Sequence, residues 1–283
     1  MHTTRFAPSP NGRLHLGHAF AALTAARAAD GGRFLLRIED LDPSRARPEF
    51  IAGIEEDLAW LGLGWEKPVL RQSTRFEAYG SAVAALAAER LLYPCFCTRK
   101  DIAAEIAGAS VAPRAEDAAI YPGICRGLSV AERDRRIALG HSHVTRLDCA
   151  KAAARLAALS FTELGEGPKG ERGAVAVDPA LLGDIVIARK DTPVAYHLAV
   201  VLDDAFQGVT LVTRGKDLFP ATHVQRLLQA LLALPAPLYA HHSLILDAEG
   251  RKYSKRDRAV TLQSLRNRGV GGGEIRRRLG FAG

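Results

Sequence analysis

The sequence predicts an α/β protein, built on a doubly wound parallel sheet that is interrupted by an insertion. Three observations lead to this class. Near the start of the chain, apolar runs alternate with alanine-rich helical runs. From residue 95 to about residue 183, prolines, glycines and charges become frequent and this regularity is lost. Strand-like and helical runs return after residue 183, so the two regular stretches are expected to form the two halves of one sheet.

The first βαβ unit is the clearest part of this pattern. Its opening stretch is R-F-A-P-S-P-N-G-R-L-H-L-G-H, residues 5–18, in which two prolines and a glycine must end a strand and turn the chain. An alanine-rich helix is predicted over 19–30, and a buried strand over 34–38. The acidic stretch 39–42 follows that strand. Because parallel sheets bind ligands at the carboxyl ends of their strands, we expect 5–18 and 39–42 to face one site.

The remaining elements follow from the spacing of apolar residues and from turn residues. Helices are predicted over 50–61, 81–92, 98–106, 130–139 and 222–234, and strands over 184–188, 196–202, 209–213 and 242–246. The predicted domains are a first half of the catalytic sheet (1–94), an insertion with a metal module (95–183), a second half of the sheet (184–240), and a basic loop with a short basic helical end (241–283).

Composition excludes several classes of protein. With 283 residues, 48% hydrophobic and 24% charged, the chain resembles an ordinary globular protein and can bury a large core. It contains no apolar run near the roughly 18 residues that span a bilayer, and no signal-peptide pattern opens it. Four cysteines in a chain of this length do not form a disulfide framework. We therefore expect a protein of the reducing cytoplasm with no membrane partner.

The net charge of +7 is concentrated at one end. Residues 251–283 carry ten Lys and Arg against only Asp257 and Glu274, whereas the rest of the chain sums to −1. A neutral body with a strongly basic end is typical of a protein that meets a polyanion. The alternative is a basic helix face that only improves solubility.

Two short motifs indicate phosphate chemistry. His15 and His18 flank Gly17 at the expected start of the first helix, where unpaired backbone N–H groups and the helix dipole favour phosphate oxygens. Far downstream, Lys252 and Lys255 flank Ser254 in a basic loop, and two such cations can neutralise a triphosphate as its charge moves toward pyrophosphate. Taken singly, the histidine motif is equally compatible with solvent-facing side chains in a turn, and the lysine motif is more often a solvated basic loop.

Together, the two motifs resemble the paired signatures of class I aminoacyl-tRNA synthetases, the first as H-L-G-H and the second as K-Y-S-K-R. Longer strings, R-F-A-P-S-P-N-G, R-I-E-D, Y-H-L-A-V-V-L-D-D and T-R-G-K-D-L, are similar to the glutamyl branch and follow its order along nearly the whole chain. The resemblance implies a Rossmann-like catalytic sheet. Only 27 residues follow Arg256, where glutamyl- and glutaminyl-tRNA synthetases append an anticodon-binding domain, and this favours the glutamyl-queuosine tRNA(Asp) synthetase family.

That resemblance implies an activity and its partners. The enzyme would activate L-glutamate with ATP and Mg²⁺, and would attach the glutamate to queuosine in the anticodon of tRNA(Asp). It is expected to act as a monomer. Two alternatives remain: a glutamyl-tRNA synthetase paralogue that charges a tRNA 3′ end, and a non-catalytic tRNA- or zinc-binding module that keeps the fold.

Roles for individual residues are carried over from matching positions. Glu39 would receive the α-ammonium group, and the planar fork of Arg214 suits a carboxylate. The implied glutamate pocket consists of Arg5, Phe6, Ala7, Pro8, Ser9, Glu39, Tyr196 and Arg214. The implied ATP site and catalytic group consist of His15, Gly17, His18, Lys252 and Lys255. Tyr253 and Arg256 depart from the usual lysine motif, but both lysines are present.

The cysteines form a third pattern. Cys95-x-Cys97 and Tyr121-x-x-x-Cys125 resemble the C-x-C…Y-x-x-x-C zinc site of this branch, and the resemblance implies one structural Zn²⁺ held by Cys95, Cys97, Tyr121 and Cys125. On general metal chemistry alone, the fourth ligand could equally be Cys149, His141 or His143. Free buried thiols are the alternative to a metal site.

Overall fold

The structure is a computed structural model that describes residues 1–108, 120–190, 192–245 and 260–281. The helices within these ranges are α1 (Leu16–Ala28), α2 (Pro48–Trp60), α3 (Phe76–Ala88), α4 (Arg99–Gly108), α5 (Val130–Ala138), α6 (Cys149–Ala153), α7 (Tyr196–Phe206), α8 (Phe219–Leu231), α9 (Leu262–Asn267) and α10 (Gly272–Arg278). The strands are β1 (Thr3–Phe6), β2 (Arg33–Ile38), β3 (Glu66–Arg71), β4 (Leu92–Cys95), β5 (Val144–Leu147), β6 (Ser160–Glu163), β7 (Gly173–Ala176), β8 (Val186–Arg189), β9 (Leu211–Gly215) and β10 (Leu238–His242).

Two sheets lie side by side and carry the predicted parallel core. The first has the order β1-β2-β3, all parallel, and the second has the order β7-β6-β10-β9, in which only β7 is antiparallel to its neighbour. They meet where the Thr210 N–H donates to the Thr3 carbonyl at 2.9 Å and the Thr3 N–H donates to Thr210 Oγ1 at 3.0 Å. The predicted α/β class with a parallel sheet is confirmed.

The segment predicted as an insertion is used in two ways. Its strand β5 forms an antiparallel sheet with β4, which ends at Cys95, and with β8, which follows the segment. This sheet lies beside a cluster of cysteines. In contrast, β6 and β7 extend the catalytic sheet, because β6 pairs with β10. The segment 95–183 therefore contributes to the main sheet as well as to a separate module.

Two predicted strands are wrong. Residues 196–202 were expected to be a strand, but they form most of helix α7. This helix is buried on most sides, including Asp203 and Asp204, so its apolar residues run without the one-sided 3.6-residue spacing of a surface helix. The strand predicted over 242–246 lies earlier, as β10, because the chain resumes an extended form directly after Pro237. Leu246 itself lies outside the described residues.

The C-terminal helices pack against α2. Leu262, Leu265 and Ile275 are buried in the same core cluster as Ile54 and Leu58. One arginine of the basic end joins this contact: Arg266 lies 3.0 Å from Glu56 and 3.0 Å from Asp57. Part of the basic end therefore meets acidic groups of the chain itself rather than an external polyanion. Across the described ranges, no helix combines the length and apolar character needed to cross a membrane.

Candidate active site

The two histidines of the first motif cap helix α1 reciprocally. His15 Nδ1 accepts the N–H of Gly17 at 3.1 Å, and His18 Nδ1 accepts the N–H of His15 at 3.2 Å. A backbone N–H can only donate, so both Nδ1 atoms are unprotonated and each neutral ring carries its proton on Nε2. The ring centroids are 3.8 Å apart. The sequence thus places two imidazole N–H donors at a helix N-terminus, which suits an anion.

A cavity of about 270 Å³ opens in front of this helix end. It lies at the carboxyl ends of β1, β2 and β9, as expected for a parallel sheet. Ten residues predicted from the sequence lie on its wall: Arg5, Phe6, Ala7, Pro8, His15, Gly17, His18, Glu39, Tyr196 and Arg214. Ser9 lies instead on a neighbouring cavity, which we call the second cleft and which shares Glu39 and Tyr196 with the first. Lys252 and Lys255 lie outside the described residues.

A buried ionic network holds one wall of the cavity. Asp204 accepts the Nε–H of Arg5 at 2.9 Å and an Nη1–H of Arg37 at 2.7 Å. Arg37 is fully buried and also lies 3.4 Å from Glu39. Burial raises the pKa of the Glu39 carboxyl, although Arg37 and Arg5 oppose this shift. For Asp204 the balance is reversed, since the two arginines outweigh burial and lower its pKa.

Arg214 is held rigidly on the wall of the same cavity. Its Nη1 donates to Gln225 at 2.8 Å, its Nη2 to Thr222 at 2.6 Å, and its Nε to His241 Nε2 at 3.1 Å. These bonds use three of the five guanidinium N–H groups, so each terminal nitrogen keeps a second N–H. The geometry fixes a planar cation at the cavity wall, which suits a carboxylate ligand.

His241 links Arg214 to a buried carboxylate. Because His241 Nε2 accepts from Arg214, its proton is on Nδ1, which donates to Glu163 Oε2 at 2.6 Å. Both side chains are fully buried. Burial and Arg214 together lower the pKa of His241. The pKa of Glu163 is also lowered, because its bonds to His241 outweigh burial.

Several of these residues were not predicted from the sequence. Asp204 and Arg37 lay inside strings used only for resemblance, and His241 and Glu163 carried no motif. One signal was available: two consecutive aspartates end an otherwise apolar run at Asp203 and Asp204. Buried carboxylates need cationic partners, and Arg5 and Arg37 sit on the predicted strands of the first βαβ unit.

The cysteine pattern forms a compact cluster away from this cavity. In the described part of the chain, the sulfurs of Cys95, Cys97 and Cys125 all lie within 4.8 Å of one another. The Cys97 and Cys125 sulfurs are 3.5 Å apart, close to the roughly 3.8 Å edge of a tetrahedron with Zn–S bonds near 2.3 Å. Burial opposes ionisation of Cys95, but hydrogen bonds from Tyr121 and Arg146 outweigh it and lower the pKa. The donor set therefore fits a thiophilic metal ion.

Tyr121 is the fourth group at this cluster. Its hydroxyl lies 3.8 Å from Cys97 Sγ and accepts the backbone N–H of Cys125 at 2.8 Å. Of the other candidate ligands, Cys149 is buried in a different core cluster, with its N–H bound to Asp184. His141 and His143 contact the ring of Phe96 and do not join the three sulfurs.

Comparisons with known proteins agree with this architecture. A family model for the catalytic domain of class I tRNA synthetases (E and Q) matches residues 2–272. The glutamyl-Q tRNA(Asp) synthetase of Rhodobacter capsulatus is 46% identical, over 98% of this chain and 99% of that protein. The protein of the same name from Nitratidesulfovibrio vulgaris is 40% identical, over 94% of this chain and 81% of that protein.

A solved structure shows the same fold. The crystal structure of glutamate-tRNA synthetase from Elizabethkingia anophelis superposes with a TM-score of 0.73 at 30% identity, covering 90% of this chain and 53% of that one. Class I synthetases use ATP, an amino acid and tRNA, which agrees with a helix end suited to an anion and with fixed arginines in one cavity. The chain belongs to the class I tRNA synthetases of the glutamate and glutamine branch, and within it to the glutamyl-Q tRNA(Asp) synthetases.

Proposed function

We propose that this enzyme activates L-glutamate with ATP and transfers it to queuosine in the anticodon of tRNA(Asp). One observation carries the proposal: a single cavity of about 270 Å³ gathers Arg5, Glu39, Arg214 and the histidine-capped end of α1, in a chain 46% identical to a glutamyl-Q tRNA(Asp) synthetase. We expect the enzyme to act in the cytoplasm, where its substrates are, and to act as a monomer, because one chain supplies all the proposed contacts.

The amino-acid end of the cavity has the charges that glutamate requires. Glu39 is the anionic partner for the α-ammonium group, and Arg214 offers its remaining N–H groups to the side-chain carboxylate. Arg5 is oriented by Asp204 and adds positive charge beside Glu39. Phe6, Ala7, Pro8 and Tyr196 complete this wall, and Ser9 contributes from the second cleft.

The nucleotide end supplies charge neutralisation. The α-carboxylate of glutamate attacks the α-phosphorus of ATP, and pyrophosphate leaves with the electron pair of the broken P–O bond. His15 and His18 donate to phosphate oxygens at the helix end, Gly17 leaves room for the nucleotide, and Lys252 and Lys255 balance the shifting charge. Mg²⁺ accompanies ATP. No side-chain nucleophile is required, because positioning and electrostatics lower the barrier.

The cysteine cluster is proposed to hold one structural Zn²⁺ through Cys95, Cys97, Cys125 and Tyr121. Thiolates are the ligands that zinc favours, and four protein ligands make a closed site. Bound there, the ion would crosslink β4 to the segment that carries Tyr121 and Cys125.

Pyrophosphate exchange tests the activation step. Purified enzyme with glutamate, ATP and Mg²⁺, and without tRNA, should exchange labelled pyrophosphate into ATP. Aspartate and glutamine in place of glutamate serve as matched controls. Lys255→Ala should lower exchange by about 100-fold or more, whereas Arg258→Ala in the same basic segment should have little effect. Absence of exchange in a folded, zinc-loaded sample would contradict the proposal.

The acceptor is tested separately. Labelled glutamate should enter tRNA(Asp) that carries queuosine, including tRNA from which the 3′-terminal adenosine has been removed. It should not enter tRNA from cells that lack queuosine. Labelling of unmodified tRNA at its 3′ end would favour the paralogue, and mass spectrometry of nuclease digests identifies the acceptor nucleoside directly.

A further inference from the structure

The second cleft contains a buried acceptor that has no partner among the described residues. It has a volume of about 270 Å³, and Gln72 at its base is fully buried. The Nε2 of Gln72 donates to Asp203 Oδ2 at 2.8 Å. Since a carboxylate can only accept, this bond fixes the orientation of the amide and turns Oε1 the other way. Within the described residues, Oε1 has no hydrogen-bond partner.

The orientation of Gln72 is enforced from several sides. Asp203 also accepts from the Tyr79 hydroxyl at 2.8 Å and from Arg75 Nε at 2.8 Å, and its side chain is fully buried. These donors hold the Asp203 carboxylate in place. Buried polar groups are almost always paired. A rigidly held amide oxygen that has no partner within the described residues, on a side chain that lines a cleft, therefore indicates a ligand that donates to it.

The mouth of the cleft carries two arginines. Arg45 and Arg189 are exposed and lie on its rim, where Asp42 also lines the cleft. Arg45 Nε pairs with Asp42 at 3.0 Å, which holds the side chain at the opening. Guanidinium groups on an open rim suit the phosphates of a nucleic-acid strand, and an acceptor deep in the cleft suits a polar donor on a base.

The second cleft also adjoins the proposed site of glutamate activation. It shares Glu39 and Tyr196 with the first cavity, which contains His15, His18 and Arg214 and which we call the activation cavity. If Glu39 holds the α-ammonium group, as the proposed function requires, the carbonyl carbon of the adenylate is only two bonds from that nitrogen. An acceptor hydroxyl that enters through the second cleft therefore arrives beside the carbonyl without passing the ATP end of the activation cavity.

We propose that the second cleft binds the acceptor nucleoside of the RNA, with Gln72 Oε1 receiving a hydrogen bond from that nucleoside and with Arg45 and Arg189 contacting the flanking phosphates. This inference rests on the proposed function. The nucleoside it fits carries at least two donor groups, as the amine and diol of queuosine do. One hydroxyl oxygen bonds to the carbonyl carbon, the carbonyl–phosphate C–O bond breaks, and AMP leaves with its electron pair and the hydroxyl proton.

The two half-reactions separate this inference from the proposed function. Pyrophosphate exchange without tRNA reports on the activation cavity, and single-turnover transfer from preformed adenylate to queuosine-containing tRNA(Asp) reports on the second cleft. Arg189→Ala, Arg45→Ala and Gln72→Met should each slow transfer by about 10- to 100-fold, the effect of one lost charge-assisted or buried hydrogen bond. Exchange should change by less than about threefold, because none of these three residues lines the activation cavity.

Matched variants complete the test. Lys190→Ala removes an adjacent exposed cation that is not on the rim and should leave transfer at the wild-type rate. Arg189→Ala alters only an exposed side chain, so it tests the role of the second cleft even if Gln72→Met does not fold. Transfer at the wild-type rate in Arg189→Ala and Arg45→Ala, or an equal loss of exchange and transfer, would overturn the inference. Absence of exchange in the wild type overturns the proposed function instead.

Discussion

Glu163 and His241 share a 2.6 Å hydrogen bond between two fully buried side chains, and this bond sets the tautomer of the histidine that supports Arg214. Glu163 lies on β6, a strand from the segment predicted as an insertion, whereas Arg214 lies on β9. The insertion therefore helps to orient a guanidinium at the wall of the activation cavity.

Glu163→Gln should weaken glutamate binding by reversing this tautomer. The introduced amide would donate to His241 Nδ1, so the ring proton would move to Nε2 and face the Nε–H of Arg214. We expect the KM for glutamate in pyrophosphate exchange to rise by about 10- to 100-fold, with a smaller change in kcat. Nitrogen NMR of the histidine ring reports the tautomer. Glu166→Gln, which alters a partly exposed neighbour that pairs with Lys216 and Arg172, is the matched control. An unchanged KM with a changed tautomer would contradict this role.

Glutamate binding should weaken in mild acid because of Glu39. Burial raises the pKa of this carboxyl, so it takes up a proton at a higher pH than an ordinary glutamate does. As the pH falls through that raised pKa, the partner of the α-ammonium group is neutralised and the KM for glutamate should increase. Glu39→Gln should raise the KM by about 30-fold or more at neutral pH and remove the acid limb of the profile. A profile unaltered by Glu39→Gln would assign the limb to another group.

Metal content should depend on the three clustered cysteines. Wild-type enzyme is expected to bind one zinc per chain, measured by elemental analysis after dialysis. Cys125→Ala should abolish binding, and Cys149→Ala, which alters a buried cysteine outside the cluster, should retain one zinc. Tyr121→Phe should lower zinc affinity by at least about 10-fold, because it removes the fourth ligand. Full affinity in Tyr121→Phe, with a loss in His143→Ala, would point to the histidine.

The contact between the C-terminal helices and α2 should depend on pH. Burial raises the pKa of Asp57 to about 6, although Arg266 and Arg13 oppose the shift. The usual pKa of an aspartate is about 4, so between about pH 4 and pH 6 the folded state binds more protons than the unfolded state. The contribution of Asp57 to stability therefore falls as the pH rises through this range.

Removal of Arg266, the cation that pairs with Asp57, should strengthen the dependence of stability on pH. Arg266→Ala leaves a buried carboxylate without its nearest cation, and should lower the free energy of unfolding by about 1–3 kcal/mol at pH 7.5. At pH 5, where Asp57 is largely protonated, the loss should be much smaller. Urea denaturation at the two pH values measures both. Arg268→Ala, which removes only a bond to the Ser264 carbonyl, should show no such pH dependence.

The sequence was informative where local signals and the tertiary structure agree. The helix predicted over 19–30 overlaps α1, and the strand predicted over 34–38 is β2, because turn residues bound both elements. The positions gathered around the first cavity were also predicted, since they lie at the ends of strands in one parallel sheet. Their roles in binding stay predictions.

Other features depend on contacts between residues distant in the chain. Helix α7 resembled a strand because its surroundings bury nearly every side, which removes the amphipathic pattern. His241 and Glu163 are 78 residues apart and no local pattern relates them. The pairing of β6 with β10 likewise arises from the fold of the whole sheet.

The buried position of Arg37 has a consequence for synthesis on the ribosome. Its Nη1 bonds to Asp204, which lies 167 residues downstream. While only the first half of the chain has emerged, Glu39 is available to this guanidinium but Asp204 is not, and a buried charge that lacks one of its partners is poorly tolerated in a core. The strand that carries it can adopt its final, water-excluded state only after α7 has left the exit tunnel. The activation cavity is therefore a late product of folding, and a prematurely terminated chain cannot assemble a partly active site.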